Sequence, residues 1–549
     1  MTLDSVFGTR PSELPLGTVI DGSLSEGLRV RLNPQFSLEK LAVGRYVVIR
    51  GRETGLRFFG MLTDVALESA NPDLGHRPPP AADAFQAEVY RGELAYGSIH
   101  VSPLLVLDDS EKTPRPVKTI PGHFSSVYEA SAQDVARIFG EGDETHFFVG
   151  TPLDMDQVPI HLDLARFVER SSGVFGKSGT GKSFLTRTIL AGIMRSRIAA
   201  ALVFDMHNDY GWAVQGEAGR EFKGLRQLFP DGRVSVYTLD PATSRARESK
   251  VDGELQIAYS QIEPEDIELL SGLMGLSEVQ TAGMFILQRR LGRNWVQQLM
   301  ADETPTEITA MVESGRLVQG TVEALQRRFE SFLTRMGFLV PEQSGDPVEE
   351  IFQRLSRGQS VVLEFGTYGN NLAAYMLAAN FLTRRIHRRY VERQNLAAGK
   401  KADGAKPLVI VIEEAHKFLN SEVAEHTVFG TIARELRKYN VTLLIVDQRP
   451  SGIDEEVMSQ IGTRVTCLLD NEADIRAVFS GVSGAAALRE VLARLDTRQQ
   501  ALVLGHAVPM PVVLRARDYG PEFYASLGVV EGEELKKRAR RGSETLFGS

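Results

Sequence analysis

The stretch Gly176-Lys177-Ser178-Gly179-Thr180-Gly181-Lys182-Ser183 decides the fold class, because it is the complete G-x-x-x-x-G-K-[ST] pattern of a P-loop. It follows the apolar run Ser172–Phe175 and precedes the helix-like stretch Phe184–Ile193, which is the strand–loop–helix order that a P-loop requires. The glycines allow the loop to turn its backbone N–H groups toward phosphate oxygens, and the helix N-terminus also favours an anion. The stretch therefore predicts a nucleotide-phosphate site in an α/β domain.

The residues of this loop divide between binding the nucleotide and binding its metal ion. Lys182 is expected to reach the β- and γ-phosphates, and Ser183 is expected to be a ligand of Mg²⁺. The predicted cofactors are therefore ATP and Mg²⁺. The residues predicted to contact the nucleotide are Gly176, Ser178, Gly179, Thr180, Gly181, Lys182, Ser183 and Phe184.

A second motif supplies the carboxylates that a P-loop enzyme needs. The apolar run Leu408–Ile412 is followed directly by Glu413 and Glu414. Glu413 is predicted to hold the Mg²⁺ shell; aspartate is usual at this position, but the longer arm of glutamate can still act through water. Glu414 is predicted to orient and polarise the attacking water as a general base. The alternative is a pair of solvated acids after a core strand.

A third apolar run, Thr442–Val446, leads into Asp447 and Gln448. Gln448 is predicted to sense the γ-phosphate or to hold the attacking water, on the strand beside that of the two glutamates. A polar strand end without a role in catalysis is the alternative. Because this run is the third of three motifs in the expected order, it supports a hydrolytic site.

Arg434 and Arg437 lie in a helix-like segment just before this third strand. In a ring of subunits, such an arginine can cross the interface and stabilise charge on the γ-phosphate held by its neighbour. We predict that one of the two acts in this way, and the alternative is a solvated helix face with charges at i,i+3. Arg464, which opens the next strand, is a further candidate.

Other polar residues near the motifs have weaker predictions. Asp205 ends the strand after the P-loop helix, and since the carboxyl ends of parallel strands line the ligand crevice, Asp205 or Asp209 is expected near the nucleotide. His207 is not predicted to bind a metal ion, because no matching cluster of His and Cys accompanies it. The single cysteine, Cys467, is predicted to be a small buried apolar residue, and the lack of a disulfide framework favours a reducing compartment.

Alternating strand-like and helical stretches predict a mainly parallel, RecA-like sheet. The strand-like runs are Ser172–Phe175, Ala200–Phe204, Val234–Thr238, Ser360–Phe365, Pro407–Ile412, Thr442–Val446 and Thr463–Leu469. Residues 262–357 interrupt them with Leu, Glu, Gln and Arg at helical spacing, which predicts an inserted helical bundle. The predicted fold class is an α/β P-loop ATPase with a helical insertion.

The N-terminal region carries short β-like runs separated by Gly and Pro clusters, which predict a small β-barrel or a sandwich. It contains no residues that indicate catalysis. The predicted domains are a flexible N-terminus at 1–14, a β-barrel at 15–125, a connector at 126–159 with a short helix at Ala132–Phe139, an ATPase core at 160–517 that includes the insertion, and a C-terminal extension at 518–549.

The net charge of -9 argues against a surface coated in positive charge, but a ring can be acidic outside and basic in its channel. The basic segment Arg384–Arg389 is predicted to be the solvated end of a helix. For the basic cluster Lys536–Arg541, DNA contact, partner contact and a disordered tail all remain open. The N-terminus lacks the pattern of a signal peptide, and no apolar run approaches the ~20 residues of a membrane span. A cytoplasmic protein without a membrane anchor is expected.

Taken together, these motifs resemble the HerA branch of the HerA/FtsK ATPase superfamily. The resemblance rests on five phrases in the family's order, which are the P-loop, Asp205–Tyr210, Glu413–His416, Ala433–Tyr439 and Gln448–Ser451. It covers roughly residues 15–517, and the N-terminal β-region is similar to the family's small barrel. Leu436 is a departure, since many relatives carry glycine there.

The resemblance implies a homohexameric ring that moves double-stranded DNA through its pore with energy from ATP. It also implies a partner nuclease, commonly NurA, in DNA end processing and double-strand-break repair. A second hypothesis is an ATPase ring scaffold of an anti-phage defence complex, in which ATP binding organises an effector enzyme. A conjugation or secretion ATPase is less favoured, because the sequence has no membrane anchor.

Overall fold

A computed structural model of the protein describes residues 14–76, 78–80, 84–90, 94–108, 114–153, 155–216, 219–400, 404–424, 427–435, 438–482, 485–496 and 499–529. The chain forms two compact units, and each of them is discontinuous in sequence. The first unit takes its residues from Met1–Asp163, Phe175–Lys182 and Thr463–Arg517, and the second from Leu164–Val174, Ser183–Gly462 and Asp518–Ser549. Among the described residues, none of the helices is long and apolar enough to span a bilayer.

The first unit begins with a closed antiparallel β-barrel. The strands of this region are β1 (Gly17–Ser23), β2 (Gly27–Leu32), β3 (Tyr46–Arg50), β4 (Arg57–Ser69), β5 (Ala95–Leu107), β6 (Arg115–Pro116) and β7 (Ser126–Glu129). They are ordered β2-β1-β7-β3-β4-β5-β6, and the pairing of β2 with β5 closes the ring, while β6 pairs with β5 outside it. Alternate residues of β2 are buried, and these side chains point into the barrel core. The sequence was compatible with either a barrel or a sandwich. The pairing of β2 with β5 shows that the region is a barrel.

Strand β7 lies in the stretch 126–159 that the sequence analysis treated as a connector. It pairs with both β1 and β3, so the barrel is incomplete without it. Four residues are too few for a clear alternating pattern, and the pairing partners are distant in sequence.

The described residues of the first unit before β8 also form three α-helices. Two of them are short, α1 (Asp73–His76) and α2 (Ala84–Tyr90), and the third, α3 (Ala132–Phe139), has the bounds predicted for it. Ser131 and Asp134 form a capping box at its start, which a Ser-x-x-Asp sequence favours.

The second unit is built on a parallel sheet. Its strands are β10 (Ser172–Phe175), β11 (Ala200–Asp205), β14 (Val234–Thr238), β15 (Gly253–Glu254), β18 (Ser360–Glu364), β19 (Leu408–Glu413) and β20 (Val441–Asp447). The order is β15-β14-β18-β11-β19-β20-β10, and every pair from β15 to β20 is parallel. Every residue of β11, β19 and β20 is buried, as expected for strands covered on both faces. The predicted parallel sheet is therefore present.

Helices and short strand pairs fill the connections of this unit. The helices outside the insertion are α4 (Leu164–Glu169), α5 (Lys182–Ser196), α6 (Leu225–Leu228), α7 (Pro241–Ala246), α15 (Leu372–Ala398), α16 (His416–Leu419), α17 (Val428–Glu435), α18 (Glu455–Gln460) and α21 (Pro521–Ser526). Two small ribbons pair β12 (Val214–Gln215) with β13 (Glu221–Phe222) and β16 (Ile257–Ala258) with β17 (Leu339–Val340).

The stretch between β16 and β18 is helical, as its spacing of apolar residues predicts. Its helices are α8 (Pro264–Glu268), α9 (Ser271–Met274), α10 (Glu278–Leu291), α11 (Trp295–Leu299), α12 (Thr306–Glu313), α13 (Gln319–Leu333) and α14 (Pro347–Ser356). Trp295 is fully buried, packs edge-on against Phe329 with ring centroids 5.5 Å apart, and donates its indole N–H to the carbonyl oxygen of Ile262 at 2.8 Å. The insertion thus has a core of its own.

The remaining strands of the first unit form a second, antiparallel set. They are β8 (His146–Pro152), β9 (Ile160–Asp163), β21 (Thr463–Cys467), β22 (Gln500–Gly505) and β23 (Val512–Ala516), in the order β21-β22-β23-β8-β9. The connection from β21 to β22 carries α19 (Glu472–Val478) and α20 (Ala485–Ala493). The β-like pair predicted near 500–516 is found as β22 and β23.

The basic segment on α15 is an anchor for the insertion rather than a solvated helix end. Asp266 of α8 is completely buried, and its carboxylate lies 2.6 Å from Arg384 Nη1 and 2.9 Å from Arg385 Nη2. Arg388 is 3.1 Å from Glu263, and Arg389 is 3.3 Å from Glu349. The sequence prediction was wrong for Arg384 and Arg385, because their acidic partners lie more than a hundred residues away in the chain.

Replacing Asp266 by alanine is expected to lower the free energy of unfolding by about 3–5 kcal/mol, because it leaves two arginines without their buried carboxylate. Chemical denaturation followed by circular dichroism measures the loss. The matched control is Glu349→Ala, which removes the partner of Arg389 in a half-exposed pair and should cost at most about 1 kcal/mol. Equal stability of the two variants would show that Asp266 does not anchor the insertion.

Candidate active site

Residues Gly176–Lys182 of the P-loop belong to the first unit and have the backbone that the glycines predict. Gly176, Gly179 and Gly181 have φ values of 153°, 80° and 92°, which residues with a side chain rarely adopt. A Cβ atom at Gly176 would lie 2.7 Å from Cβ of Cys467, whereas one at Gly179 would meet no heavy atom of the described residues within 4 Å. The loop is tightly packed near Gly176 and open at Gly179, where a phosphate group can approach.

The two lysines of the loop point to different partners. Lys182 begins α5 and donates from Nζ to the carbonyl oxygen of Gly176 at 3.3 Å, a long hydrogen bond that a phosphate oxygen can replace. Lys177 lies on the exposed side, with Nζ 2.6 Å from Asp470 Oδ2. Lys182 is therefore the lysine whose ammonium group lies over the loop, in keeping with its predicted role.

Cys467 is the small buried residue that the sequence predicts. Only 2% of it is exposed, and it lies directly behind Gly176. Burial raises the pKa of its thiol to about 11, so the thiol keeps its proton near neutral pH. A buried protonated thiol is chemically inert, and Cys467 serves to pack the P-loop.

In the second unit, two tyrosines hold Glu413 at the end of β19. Tyr210 donates its hydroxyl to Glu413 Oε1 at 2.9 Å, and Tyr375 donates its hydroxyl to the Glu413 carbonyl oxygen at 3.0 Å. Glu413 is 8% exposed. A carboxylate and the hydroxyl of Ser183 are hard oxygen donors, the ligand type that Mg²⁺ prefers. The donor set therefore fits the predicted ion.

Glu414 and Gln448 lie together at the ends of the neighbouring strands β19 and β20. Gln448 Nε2 donates to Glu414 Oε1 at 3.0 Å. Glu414 also has a φ of 49°, which costs a residue with a side chain about 1–3 kcal/mol and is common at active sites. The strained backbone turns Glu414 away from the direction of β19, and the amide of Gln448 orients its carboxylate.

A histidine that the sequence analysis did not assign supports this pair. His416 donates its backbone N–H to Asp447 Oδ2 at 2.7 Å, and its Nδ1 atom is 3.0 Å from the same oxygen. Burial tends to raise the pKa of Asp447, but hydrogen bonds from His416 and from the backbone of Arg449 leave it below its usual value. Glu414, His416 and Asp447 offer potential metal ligands within 4.8 Å of one another. Asp447 already accepts hydrogen bonds from His416 and Arg449. We therefore interpret the cluster as one that stabilises the ends of β19 and β20.

Asp205 shapes the loop after β11. It is completely buried, and its carboxylate accepts the backbone N–H groups of Asp209 at 2.6 Å, Tyr210 at 2.7 Å and Gly211 at 3.1 Å. Burial raises the pKa of Asp205, and burial followed by the charge of Asp205 raises that of Glu364 to about 7. The observed role of Asp205 is therefore to fold the turn that presents Tyr210, whereas the sequence analysis expected it near the nucleotide.

The arginines proposed to act between subunits differ in their surroundings. Arg434 is partly exposed near the end of α17, with Nε 3.2 Å from Glu456 Oε2. Arg437 lies outside the described residues. Arg464 is 2% exposed and donates from Nη1 to the carbonyl oxygens of Val478 and Ser480 at 2.6 and 2.8 Å. Burial lowers the pKa of Arg464 to about 10, and its position at the end of α19 makes it a structural residue instead of a candidate for catalysis.

Comparison with known proteins supports the resemblance found in the sequence. A family profile described as "Helicase HerA, central domain" matches residues 147–386. The Pyrococcus furiosus protein named DNA double-strand break repair helicase HerA is 24% identical over 457 residues, which are 78% of this chain and 79% of that protein. The protein of the same name from Saccharolobus solfataricus is 24% identical over 394 residues, 70% of this chain and 71% of that protein. The chain is therefore similar to HerA helicases over most of its length.

Solved structures similar to this chain include two proteins of other names. The bacterial conjugative coupling protein TrwB has a TM-score of 0.46 and 11% identity, over 71% of this chain and 92% of that chain. VirB4 of Thermoanaerobacter pseudethanolicus has a TM-score of 0.43 and 12% identity, over 70% of this chain and 99% of that chain. Both structural likenesses are distant.

The residues that support the predicted ones were not predicted from the sequence. Tyr210 had a signal, because it closes the phrase Asp205–Tyr210 that follows a strand end. Tyr375 and Arg187 had none, since each lies inside a helix where an aromatic or basic residue has many ordinary explanations. Phe184, predicted to contact the nucleotide, packs against Phe222 with ring centroids 4.5 Å apart.

Proposed function

We propose that this protein is a HerA-type helicase that hydrolyses ATP with Mg²⁺ and uses the energy to move double-stranded DNA. The observation that carries the proposal is the hydrogen-bonded pair of Glu414 and Gln448, in a chain that also has a complete P-loop. A phosphate site alone binds a nucleotide, whereas hydrolysis also needs a group that activates water. The strained, oriented carboxylate of Glu414 is suited to that task.

Each residue of the site has a separate part in the proposed reaction. Lys182 binds the β- and γ-phosphates, and the backbone around Gly179 and Gly181 binds phosphate oxygens. Ser183 and Glu413 would hold Mg²⁺, which neutralises charge on the phosphates when it is bound. Glu414 accepts a proton from the attacking water, and Gln448 holds that carboxylate in orientation. Phe184, the residue after Ser183, is proposed to contact the nucleotide.

The names of the curated relatives support DNA as the track of the proposed motor. The curated relatives in Pyrococcus and Saccharolobus are named for helicase action in DNA double-strand break repair. We infer that this chain forms a homohexameric ring and moves double-stranded DNA through it. The ring would deliver this DNA to a NurA-like partner nuclease in DNA end processing. A chain with a net charge of -9 can bind DNA only if its basic side chains are concentrated along the channel. Arg384 and Arg385 are not among them in this proposal, because their ion pairs with Asp266 hold them inside the second unit.

Double-stranded DNA is expected to raise the rate of ATP hydrolysis, with little dependence on its sequence, because a motor must pass over any base. The apparent DNA affinity should fall linearly on a log–log plot against salt, since phosphate contacts dominate the binding. Steady-state ATPase assays with random-sequence duplexes at several salt concentrations measure both effects.

Lys182→Ala is the control, since it removes the charge that binds the phosphates and should abolish turnover with and without DNA. If the wild-type protein hydrolyses ATP but DNA leaves the rate unchanged in the presence of its partner, the motor is excluded. That result would favour the ring scaffold.

A further inference from the structure

A buried arginine lies next to the proposed Mg²⁺ ligand. Arg187 is on α5, one turn after Ser183, and only 2% of it is exposed. Among the described residues, its Nε and Nη1 atoms have no hydrogen-bond partner. Burying an unpaired charge costs several kcal/mol, so its surroundings must offset that penalty.

Three aromatic rings surround Arg187 and supply the compensation. Its Cζ atom is 5.3 Å from the ring centroid of Phe184 and 5.8 Å from those of Tyr210 and Tyr519. A cation held over an aromatic face gains about 0.5–2 kcal/mol per ring, and more where water is excluded. These three rings are named the aromatic cage. Because the three rings stabilise the charge of Arg187, that charge favours the arrangement in which all three face it.

Tyr210 connects the aromatic cage to Glu413. Its side chain is completely buried, and its hydroxyl donates to Glu413 Oε1 at 2.9 Å. Its backbone N–H donates to Asp205 Oδ2 at 2.7 Å, so both the backbone and the side chain are held. Burial and then the charge of Glu413 raise the pKa of Tyr210 well above its usual value, and the phenol remains a donor at any physiological pH.

Tyr519 closes the aromatic cage from the C-terminal part of the second unit. Its hydroxyl donates to the carbonyl oxygen of Lys223 at 2.8 Å, and its ring centroid is 5.9 Å from that of Phe184. It lies just before α21. The segment that begins at Asp518 therefore contributes one wall of the structure that holds Tyr210.

We propose that Tyr210 is a positioning residue for Glu413, and that Arg187 and Tyr519 hold Tyr210 in the orientation that this task needs. The inference rests on the proposed ATPase function and adds a support that reaches from the C-terminal segment to the Mg²⁺ ligand. Tyr210 acts through Glu413 and does not itself bind the nucleotide. Residues that hydrogen-bond to a metal ligand typically change metal affinity or activity by about 10–100-fold when they are removed.

Tyr210→Phe tests the inference, because it keeps the ring in the aromatic cage and removes only the donor to Glu413. Binding of mant-labelled AMP-PNP is followed by fluorescence as Mg²⁺ is added. The Mg²⁺ concentration at half-saturation is expected to rise about 10-fold or more, while binding in EDTA stays as in the wild type. The control is Tyr390→Phe, which also removes a buried hydroxyl, but one without a partner among the described residues. It should leave the Mg²⁺ dependence unchanged.

The outcomes separate this inference from the proposed function. If the wild-type protein binds the analogue with a clear Mg²⁺ dependence and Tyr210→Phe shows the same dependence, the inference alone is wrong. If the wild-type protein shows no Mg²⁺-dependent binding, the proposed ATPase site fails and the inference falls with it. Thermal melting confirms that each variant is folded.

A second pair of variants tests the aromatic cage without touching Tyr210. Tyr519→Phe keeps the ring and should leave the Mg²⁺ dependence unchanged, although it removes the hydrogen bond to Lys223. Tyr519→Leu removes the ring that faces Arg187 and should raise the half-saturating Mg²⁺ concentration in the same direction as Tyr210→Phe. Equal Mg²⁺ dependence of the two Tyr519 variants would show that the C-terminal segment does not support the site.

Discussion

Arg434→Ala is expected to lower the rate of ATP hydrolysis by about 10³–10⁵-fold while ATP binding and assembly stay intact. An arginine that acts from a neighbouring subunit stabilises charge on the γ-phosphate mainly in the transition state, so its loss reduces turnover more than binding. Arg434 is accessible for this task, because its side chain is 27% exposed and its partner Glu456 is 65% exposed. Such an exposed ion pair is weak, and Arg434 can exchange it for a phosphate. Steady-state ATPase assays and nucleotide titrations measure the two effects.

Glu456→Ala is the matched control for Arg434. It breaks the same ion pair but leaves the arginine in place, so turnover should stay close to that of the wild type. A large loss of activity in Glu456→Ala would assign the effect to the local ion pair between α17 and α18. Arg437→Ala is measured in parallel, because the sequence analysis left the two arginines open as alternatives.

Mixing experiments show whether the arginine acts on the neighbouring subunit. Lys182→Ala subunits cannot use their own P-loop but still carry Arg434, and Arg434→Ala subunits have the opposite defect. Mixed rings contain junctions that pair an intact P-loop with an intact arginine, and these should recover part of the ATPase activity. If mixed rings form and neither Arg434 nor Arg437 supports recovery, action in trans by these arginines is excluded. Arg464 is then no substitute, because it is buried at the end of α19.

Glu414→Gln is expected to bind ATP with Mg²⁺ as well as the wild type but to hydrolyse it about 10²–10⁴-fold more slowly, because an amide cannot accept the proton of the attacking water. The substitution keeps the size of the side chain at a position whose φ is already 49°. Single-turnover hydrolysis and a nucleotide-binding titration separate chemistry from binding.

Glu422→Gln is the matched control for Glu414. Glu422 is an exposed acid eight residues further along the chain, and its neutralisation should leave turnover unchanged. Equal rates for the wild type and Glu414→Gln would show that the catalytic carboxylate lies elsewhere. A loss of nucleotide binding in Glu414→Gln would instead assign Glu414 to the binding of Mg²⁺.

The elements that the sequence predicted share one property, which is that their signals are local. The P-loop needs positive φ at defined glycines, and Gly176, Gly179 and Gly181 have it. The strand β19 ends at Glu413 because an uninterrupted apolar run ends there. The helix α3 starts at its Ser131 cap. In each case, neighbouring residues determine the backbone conformation without help from distant ones.

The barrel shows a feature of the fold that local sequence signals do not determine, which is the pairing of its strands. Its short alternating strands are visible in the sequence, but a barrel and a sandwich have the same alternation. The pairing of β2 with β5 decides between them, and it joins residues about seventy positions apart, such as Val30 and Ile99. The four residues of β7 complete the ring through pairs with β1 and β3.

The sequence by itself determined the α/β P-loop class of this protein and predicted its principal site residues, since the P-loop and the acidic strand end are contiguous motifs. Only the tertiary structure decided what supports them. Tyr210 reaches Glu413 across 203 residues, and Arg384 reaches Asp266 across 118. It also decided that Arg464 is buried while Arg434 remains partly exposed. The physical reason is that a side chain's partner and its burial depend on which segments pack together, and such long-range contacts leave no periodic trace in the chain.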